Sequence, residues 1–334
     1  MLRKIISSPR CLPRWRLLVA ALVAASAMLA TAQAEPGFPN KPVRILVPYG
    51  AGGVGDFTMR LLAQKLTERT GKQFFIENKP GAGGILAAKA LLDTPPDGYN
   101  MLVTGNGMAI SMSLFKSRPY DALKDFTPVS VTASFEMLIA TGADSPYKTL
   151  KDVVAAAKKN PGKLNFGAIN PGSTQNLSAH LFQMMTGIDV AIVTYKTTPD
   201  LITAILRGDI DVGFDFFAAL QSMIAQKKIR IVAVSGEQRN PLMPEVPTAK
   251  ESGFPDYIVT SWNALSTPAG LPDDVLAFLN REINAALAQP DVQEKAKRFG
   301  MLARGSTPQD MRARMEHDIK KWAVVIENAN IPKR

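Results

Sequence analysis

Val43-Arg44-Ile45-Leu46-Val47-Pro48-Tyr49-Gly50-Ala51-Gly52-Gly53-Val54-Gly55-Asp56 is the stretch that decides the fold class. Its first part is apolar and β-branched, the mark of a strand buried on both faces. A glycine-rich turn follows, and then a helical pattern from Asp56 to Thr70 that stops at Gly71. Strand, glycine turn and helix in that order open an α/β unit.

Working outward, the unit recurs. Phe74 to Glu77 reads as a second strand, and Gly81-Ala82-Gly83-Gly84 opens a helix that runs to about Asp93. Pro95-Pro96-Asp97-Gly98 stops it before a third strand, Tyr99 to Thr104. Beyond Ser134 a second series is predicted. Its strands are Phe135–Thr141, Leu164–Ala168, Ala191–Tyr195, Asp211–Asp215 and Ile231–Ser235. Its helices are Thr149–Asn160, Thr174–Thr186, Pro199–Arg207 and Ala218–Gln226. Pro241 to Pro255 is irregular, and the C-terminus is helical over Asp273–Ala288, Val292–Phe299 and Gln309–Asn328. Apolar strands alternating with helices predict parallel, buried sheets. Two such series predict two α/β lobes with a cleft between them, where small molecules are commonly held.

The N-terminus has another role. Arg3, Lys4, Arg10, Arg14 and Arg16 precede the apolar run Leu17–Leu29, which is too short to span a bilayer. Ala32-Gln33-Ala34 then supplies small residues for cleavage. Residues 1–34 are therefore expected to be a secretory signal peptide, with export to the periplasm. Its removal lowers the net charge from +10 to +5, because five of the 39 basic residues leave and none of the 29 acidic ones does. It also removes Cys11, the single cysteine, so the mature chain is expected to have no disulfide and no cysteine-metal site. A mild basic excess with no basic block argues against nucleic acid as a partner.

The glycine turn has competing readings. Gly50, Gly52 and Gly55 match the dinucleotide-binding outline G-x-G-x-x-G, with Glu77 after the next strand. Against it stand export, the late position of Glu77, and Asp56, whose carboxylate would occupy the helix start and repel a pyrophosphate. A plain tight turn is the bland reading. A cradle for a small anion is the third, since glycine admits close backbone approach and a helix start offers N–H donors. Asn78–Gly84, Thr104-Gly105-Asn106-Gly107 and Asn170-Pro171-Gly172-Ser173-Thr174-Gln175 are similar turns. Taken singly, Ser173 or Thr174 reads as a helix cap. Taken together, the turns describe a cleft lined by neutral donors.

Catalytic signals are weak. Neither G-x-S-x-G nor a Walker sequence occurs, and His180 and His317 have no partner at metal-ligand spacing. His317 reads as a surface residue and His180 as structural. Of Asp209, Asp211 and Asp215, only Asp215 stands at a strand end facing a cleft. No enzyme activity, metal or cofactor is expected. An exported hydrolase or oxidoreductase is the rival reading from another class.

The turns, with motifs along the chain, resemble the Bug-type solute receptors, the extracytoplasmic binding proteins of tripartite tricarboxylate transporters. The motifs are Phe38-Pro39-Asn40-Lys41-Pro42-Val43-Arg44, Gly52-Gly53 with Asp56, Glu77-Asn78-Lys79-Pro80-Gly81-Ala82-Gly83-Gly84 and Pro96-Asp97-Gly98-Tyr99. Further along stand Leu123-Lys124-Asp125-Phe126 with Pro128-Val129, Pro161-Gly162-Lys163-Leu164-Asn165, Tyr195-Lys196 and Phe214-Asp215. Pro244-Glu245-Val246-Pro247-Thr248 and Thr260-Ser261-Trp262 complete the set. The resemblance implies a type II periplasmic-binding-protein fold, two α/β lobes joined by two crossover strands. The crossings are expected near Ser134 and Thr260, giving a first lobe of residues 35–134 and 259–334 and a second of residues 135–258.

The resemblance also implies the function. A small carboxylate, foremost a dicarboxylate, would be captured in the cleft by a monomer and passed to integral-membrane transporter subunits. An aromatic carboxylate, stacking on Tyr49, Phe57 or Phe216, is the alternative ligand, and a sensor arm of a signalling system the alternative role. The implied site draws Tyr49, Gly52, Gly53, Asp56, Phe57, Gly83, Gly84, Thr104 and Asn106 from lobe one. Lobe two would contribute Asn170, Ser173, Thr174, Tyr195, Thr197 and Asp215. This chain departs from the family where His, Glu and Gly are usual, having Asn176, His180 and Thr197.

Overall fold

The computed structural model describes residues 37–51 and 54–334; the expected signal peptide lies outside the described residues, as do Gly52 and Gly53. Strands β1 (Val43–Val47), β2 (Phe74–Asn78) and β3 (Asn100–Gly105) are parallel. They alternate with helices α1 (Val54–Thr70), α2 (Ile85–Leu92) and α3 (Asn106–Leu114). β4 (Phe126–Gly142) follows, then α4 (Leu150–Lys159), β5 (Asn165–Ile169), α5 (Thr174–Thr186), β6 (Ala191–Tyr195) and α6 (Thr198–Arg207). β7 (Val212–Phe216), α7 (Phe217–Ala225) and β8 (Ile229–Val234) complete the second series. The chain returns through β9 (Thr260–Pro268) and ends in α8 (Asp273–Leu287), α9 (Pro290–Arg298) and α10 (Pro308–Asn328).

The strand order is β2-β1-β3-β9-β4-β7-β5-β6, with β8 also on β4. β4, 17 residues long, serves both halves. Phe126 to Glu136 pairs with β9, and Met137 onward pairs with β7 and β8. The handover from one half to the other falls between Glu136 and Met137. The expectation of parallel sheets holds for β1–β3 and for β5–β7. It fails for β4, β8 and β9, which run antiparallel to their neighbours.

This register brings the functional ends together. The carboxyl end of β3, Gly105, lies beside Asn263, which lies beside Ala133. The carboxyl end of β7, Phe216, lies beside Met137. Both sets of strand-to-helix turns therefore face the same stretch of β4, the place where open α/β sheets hold ligands.

The core explains why the two halves stay attached. Phe182 packs against Phe166, Phe214, Phe254 and Tyr257 in the second half. The same apolar cluster continues through Leu114, Trp262, Met315 and Trp322. α10 thus packs along both halves, with Trp262 Nε1 donating to Asp318 Oδ2 at 2.7 Å. No helix among the described residues is long and apolar enough to cross a membrane.

Candidate functional site

In the first lobe, the start of α1 is held by polar contacts. Asp56 is buried, and its two carboxylate oxygens accept from Asn78 Nδ2 at 2.8 Å and Arg60 Nε at 3.0 Å. Arg60 Nη2 reaches Asn78 Oδ1 at 2.8 Å, and Asn78 Nδ2 also reaches the Tyr49 carbonyl at 3.1 Å. Both oxygens are thus engaged by side chains of the same lobe. The carboxylate joins α1 to the end of β2, because a buried charge is stable only when paired.

Tyr49 has a different environment. Its Oη is buried and has no hydrogen-bond partner among the described residues. Burial, reinforced by the nearby Asp56 charge, holds the phenol well above its usual pKa, so it remains a protonated donor. The ring lies over Gly55, where an added Cβ would stand 2.8 Å from Oη. Phe57, in the first turn of α1, is 44% exposed.

A cavity of about 270 Å³ opens among these turns. Tyr49, Gly83, Gly84, Thr104 and Asn106 line it, together with Pro48, Gly105, Tyr120 and Asn263, and none of the described lining residues is charged. Gly83 and Gly84 have φ of 63° and 96°, so glycine is needed in this turn. The Gly84 N–H donates to the Gly81 carbonyl at 2.9 Å and is occupied by the turn itself. Gly105 is required for another reason: a Cβ there would run into the Trp262 carbonyl of β9.

Thr104 and Asn106 are both buried. Thr104 Oγ1 bonds Ser266 Oγ at 2.8 Å. Asn106 accepts from Trp322 Nε1 and donates to Thr174 Oγ1, each at 2.7 Å. Its side chain is thus committed to the scaffold, and Thr174 with it.

In the second lobe, Ser173 and Thr197 cap α5 and α6, accepting from the Asn176 and Asp200 N–H groups. The bland reading of Ser173 is the one observed. Asn170 takes φ of 42° and donates its N–H to the Tyr195 carbonyl at 2.8 Å. Tyr195 is half-buried at the end of β6. Asp215 is 1% exposed and accepts from Thr198 Oγ1 at 2.6 Å, Gln175 Nε2 at 3.0 Å and the Phe216 N–H at 2.8 Å. Burial raises its pKa, opposed by those bonds. Asp215 fastens the starts of α5 and α6 to the end of β7. None of these second-lobe residues lines the 270 Å³ cavity.

Sequence reasoning missed Pro48, Tyr120 and Asn263. Tyr120 and Asn263 reach the cavity through long-range packing and β9 pairing, for which the chain gives no local signal. Asn176, where a family His is usual, accepts from the Gly172 N–H at 2.9 Å. His180 is half-buried, and burial lowers its pKa, so it is neutral at pH 7. No group of His, Cys, Asp and Glu suited to a metal occurs among the described residues.

Comparison with known proteins gives consistent matches. The family model described as tripartite tricarboxylate transporter family receptor matches residues 58–331. Protein BugT of Bordetella pertussis is 29% identical over 312 residues, covering 93% of this chain and 96% of its own. Among solved structures, Rpa4515 of R. palustris with adipate is 31% identical, with a TM-score of 0.75 over 88% of this chain and 99% of that one. MatC from Rhodopseudomonas palustris with bound malate is 28% identical, with a TM-score of 0.71 over 86% of this chain and 100% of that one.

Proposed function

The chain belongs to the tripartite tricarboxylate transporter family receptors, and on that footing we propose that it captures a small dicarboxylate in the periplasm for transporter subunits in the membrane. The family consists of solute-binding receptors, not enzymes. The two α/β lobes joined through β4 and β9 are the type II periplasmic-binding-protein fold. In this reading residues 35–134 and 259–334 form one lobe and residues 135–258 the other, after removal of residues 1–34.

The observation that carries the proposal is the 270 Å³ cavity at the strand ends, where Tyr49, Thr104, Asn106 and Asn263 stand among apolar residues and none of the described lining residues is charged. An acid held there is gripped by neutral donors: the Tyr49 hydroxyl, the Asn263 amide and backbone N–H groups. The α1 dipole adds to the attraction. The α5, α6 and α7 starts, fastened by Ser173, Thr197 and Asp215, supply donors from the other lobe. Closure excludes water and strengthens each bond to the carboxylate. That Rpa4515 was solved with adipate and MatC with malate supports a ligand with two carboxylates.

The test is calorimetry on protein unfolded, washed and refolded to strip carried-over ligand, titrated with adipate, malate and benzoate. Saturable 1:1 binding of an aliphatic diacid supports the reading. Folded protein that binds none of the three acids refutes it, and benzoate alone would favour an aromatic acid.

A further inference from the structure

Phe299, Gly300, Met301 and Leu302 belong to none of the strand-to-helix turns, yet they touch both lobes and the strand between them. Phe299 ends α9 and packs edge-on against Phe57 of α1, ring centroids 5.4 Å apart. Gly300 lies against Phe217, the first residue of α7 in the second lobe; a Cβ on Gly300 would stand 2.5 to 2.8 Å from three atoms of that side chain. Leu302 exchanges both backbone hydrogen bonds with Ser134 of β4, at 2.8 and 2.9 Å, just before the handover.

A helix cap accounts for part of this. Gly300 has φ of 68°, and the Met301 N–H returns to the Ala296 carbonyl at 3.1 Å, as at many helix ends. The cap explains why residue 300 is left-handed. It does not explain why the backbone runs against the second lobe with no room for a methyl group. Gly300, Met301 and Leu302 also line a groove of about 910 Å³ at the handover, together with Gly236–Leu242 of the second lobe. The width of that groove changes whenever the lobes move relative to each other.

We propose that Gly300 is a positioning residue for ligand capture: its bare backbone lets the second lobe seat on the Phe299–Leu302 strap, and this contact sets the balance between open and closed forms. The inference rests on the binding role proposed above. A side chain at position 300 holds the lobes apart without touching the ligand. The fraction of binding-competent molecules then falls, and the apparent affinity for every ligand falls by one common factor.

The experiment compares wild type, G300A and G187A. Gly187 ends α5 with φ of 63° and has nothing within 4 Å of an added Cβ. G187A therefore carries the same left-handed strain without the contact. Adipate and malate are titrated by calorimetry, and the radius of gyration is measured by X-ray scattering with and without 10 mM of each acid.

The expected result is a loss of about tenfold or more in G300A, equal for both acids that bind, with a larger radius than wild type in the absence of acid. G187A stays within about twofold of wild type. Wild-type affinity and wild-type scattering in G300A overturn the inference. Unequal losses for two acids also overturn it, because they indicate direct contact rather than positioning. If wild type binds neither acid, the functional reading fails, and the scattering of G300A against G187A still decides the role of the strap.

Discussion

Asn106 and Thr174 join the two lobes through one hydrogen bond: Nδ2 of the first donates to Oγ1 of the second at 2.7 Å, both side chains buried. They begin α3 and α5, and Trp322 of α10 completes the set by donating to Asn106 Oδ1 at 2.7 Å. Asn106→Ala leaves the Trp322 N–H and the Thr174 hydroxyl without their partner. Each orphaned buried group costs about 1–3 kcal/mol, so the variant loses about 2–6 kcal/mol. Urea unfolding at pH 7 measures this as a lower midpoint at unchanged slope. A midpoint equal to wild type would mean that water replaces the amide.

Asp215 makes a comparable junction inside the second lobe. Asp215→Ala strips acceptors from Thr198 Oγ1, Gln175 Nε2 and the Phe216 N–H at once. A loss of about 3 kcal/mol in urea unfolding is expected, given the greater strength of hydrogen bonds to a charged acceptor. The starts of α5 and α6 lose their anchor, so adipate affinity falls as well. Asp215→Asn keeps one acceptor oxygen and falls between wild type and Asp215→Ala in both measurements. An Asp215→Ala protein that is destabilised yet binds adipate normally would separate the anchor from the site.

These junctions mark where sequence reading stops. The β1, β5, β6 and β7 strands and the helices between them are legible because apolar runs end at glycine or proline and the helix periods are regular. β9 is not, since Ser261, Asn263, Ser266 and Thr267 resemble a loop; three of them are buried because β3 and β4 pair on either side. The first half of β4, with buried Ser130 and Thr132, is hidden for the same reason. Gly105 and Gly107 disguise α3 as a turn. At the site, glycines announce each turn, but the assignments of Asn106, Asp56 and Asp215 depend on partners far along the chain. No local pattern shows that an asparagine amide is already committed to a tryptophan 216 residues away.

Glu136 makes stability depend on pH. It is the last residue of β4 paired with β9, and its carboxyl is pushed up to about 6 by burial, against hydrogen bonds from Asn240 and the Gly236 N–H. A carboxyl with a raised folded pKa stabilises fully below its unfolded value near 4.5, and that contribution is lost as pH rises through about 6. Glu136→Gln removes this loss. Relative to wild type it gains up to about 2 kcal/mol above pH 6.5 and shows a flatter profile between pH 4.5 and 6.5. Urea midpoints of both proteins across that range are the measurement. Parallel profiles would assign the pH dependence to other groups.

Tyr49 offers the opposite trade. Its buried Oη, without a partner among the described residues, is a cost in the ligand-free protein, and under the proposed function it becomes a donor to an acid oxygen. Tyr49→Phe keeps the ring over Gly55 and removes only the hydroxyl. The ligand-free variant is expected to be as stable as wild type or up to about 1 kcal/mol more stable, because an orphaned buried polar group is removed. Its adipate affinity is expected to fall about five- to tenfold, the value of one hydrogen bond to a charged acceptor. Thermal unfolding without ligand and calorimetry with adipate give the two numbers. Their opposite signs are diagnostic, since a purely structural hydroxyl would lower both stability and affinity when removed. If affinity holds while stability rises, the hydroxyl faces away from the ligand, and the grip rests on the amides and Asn263 alone.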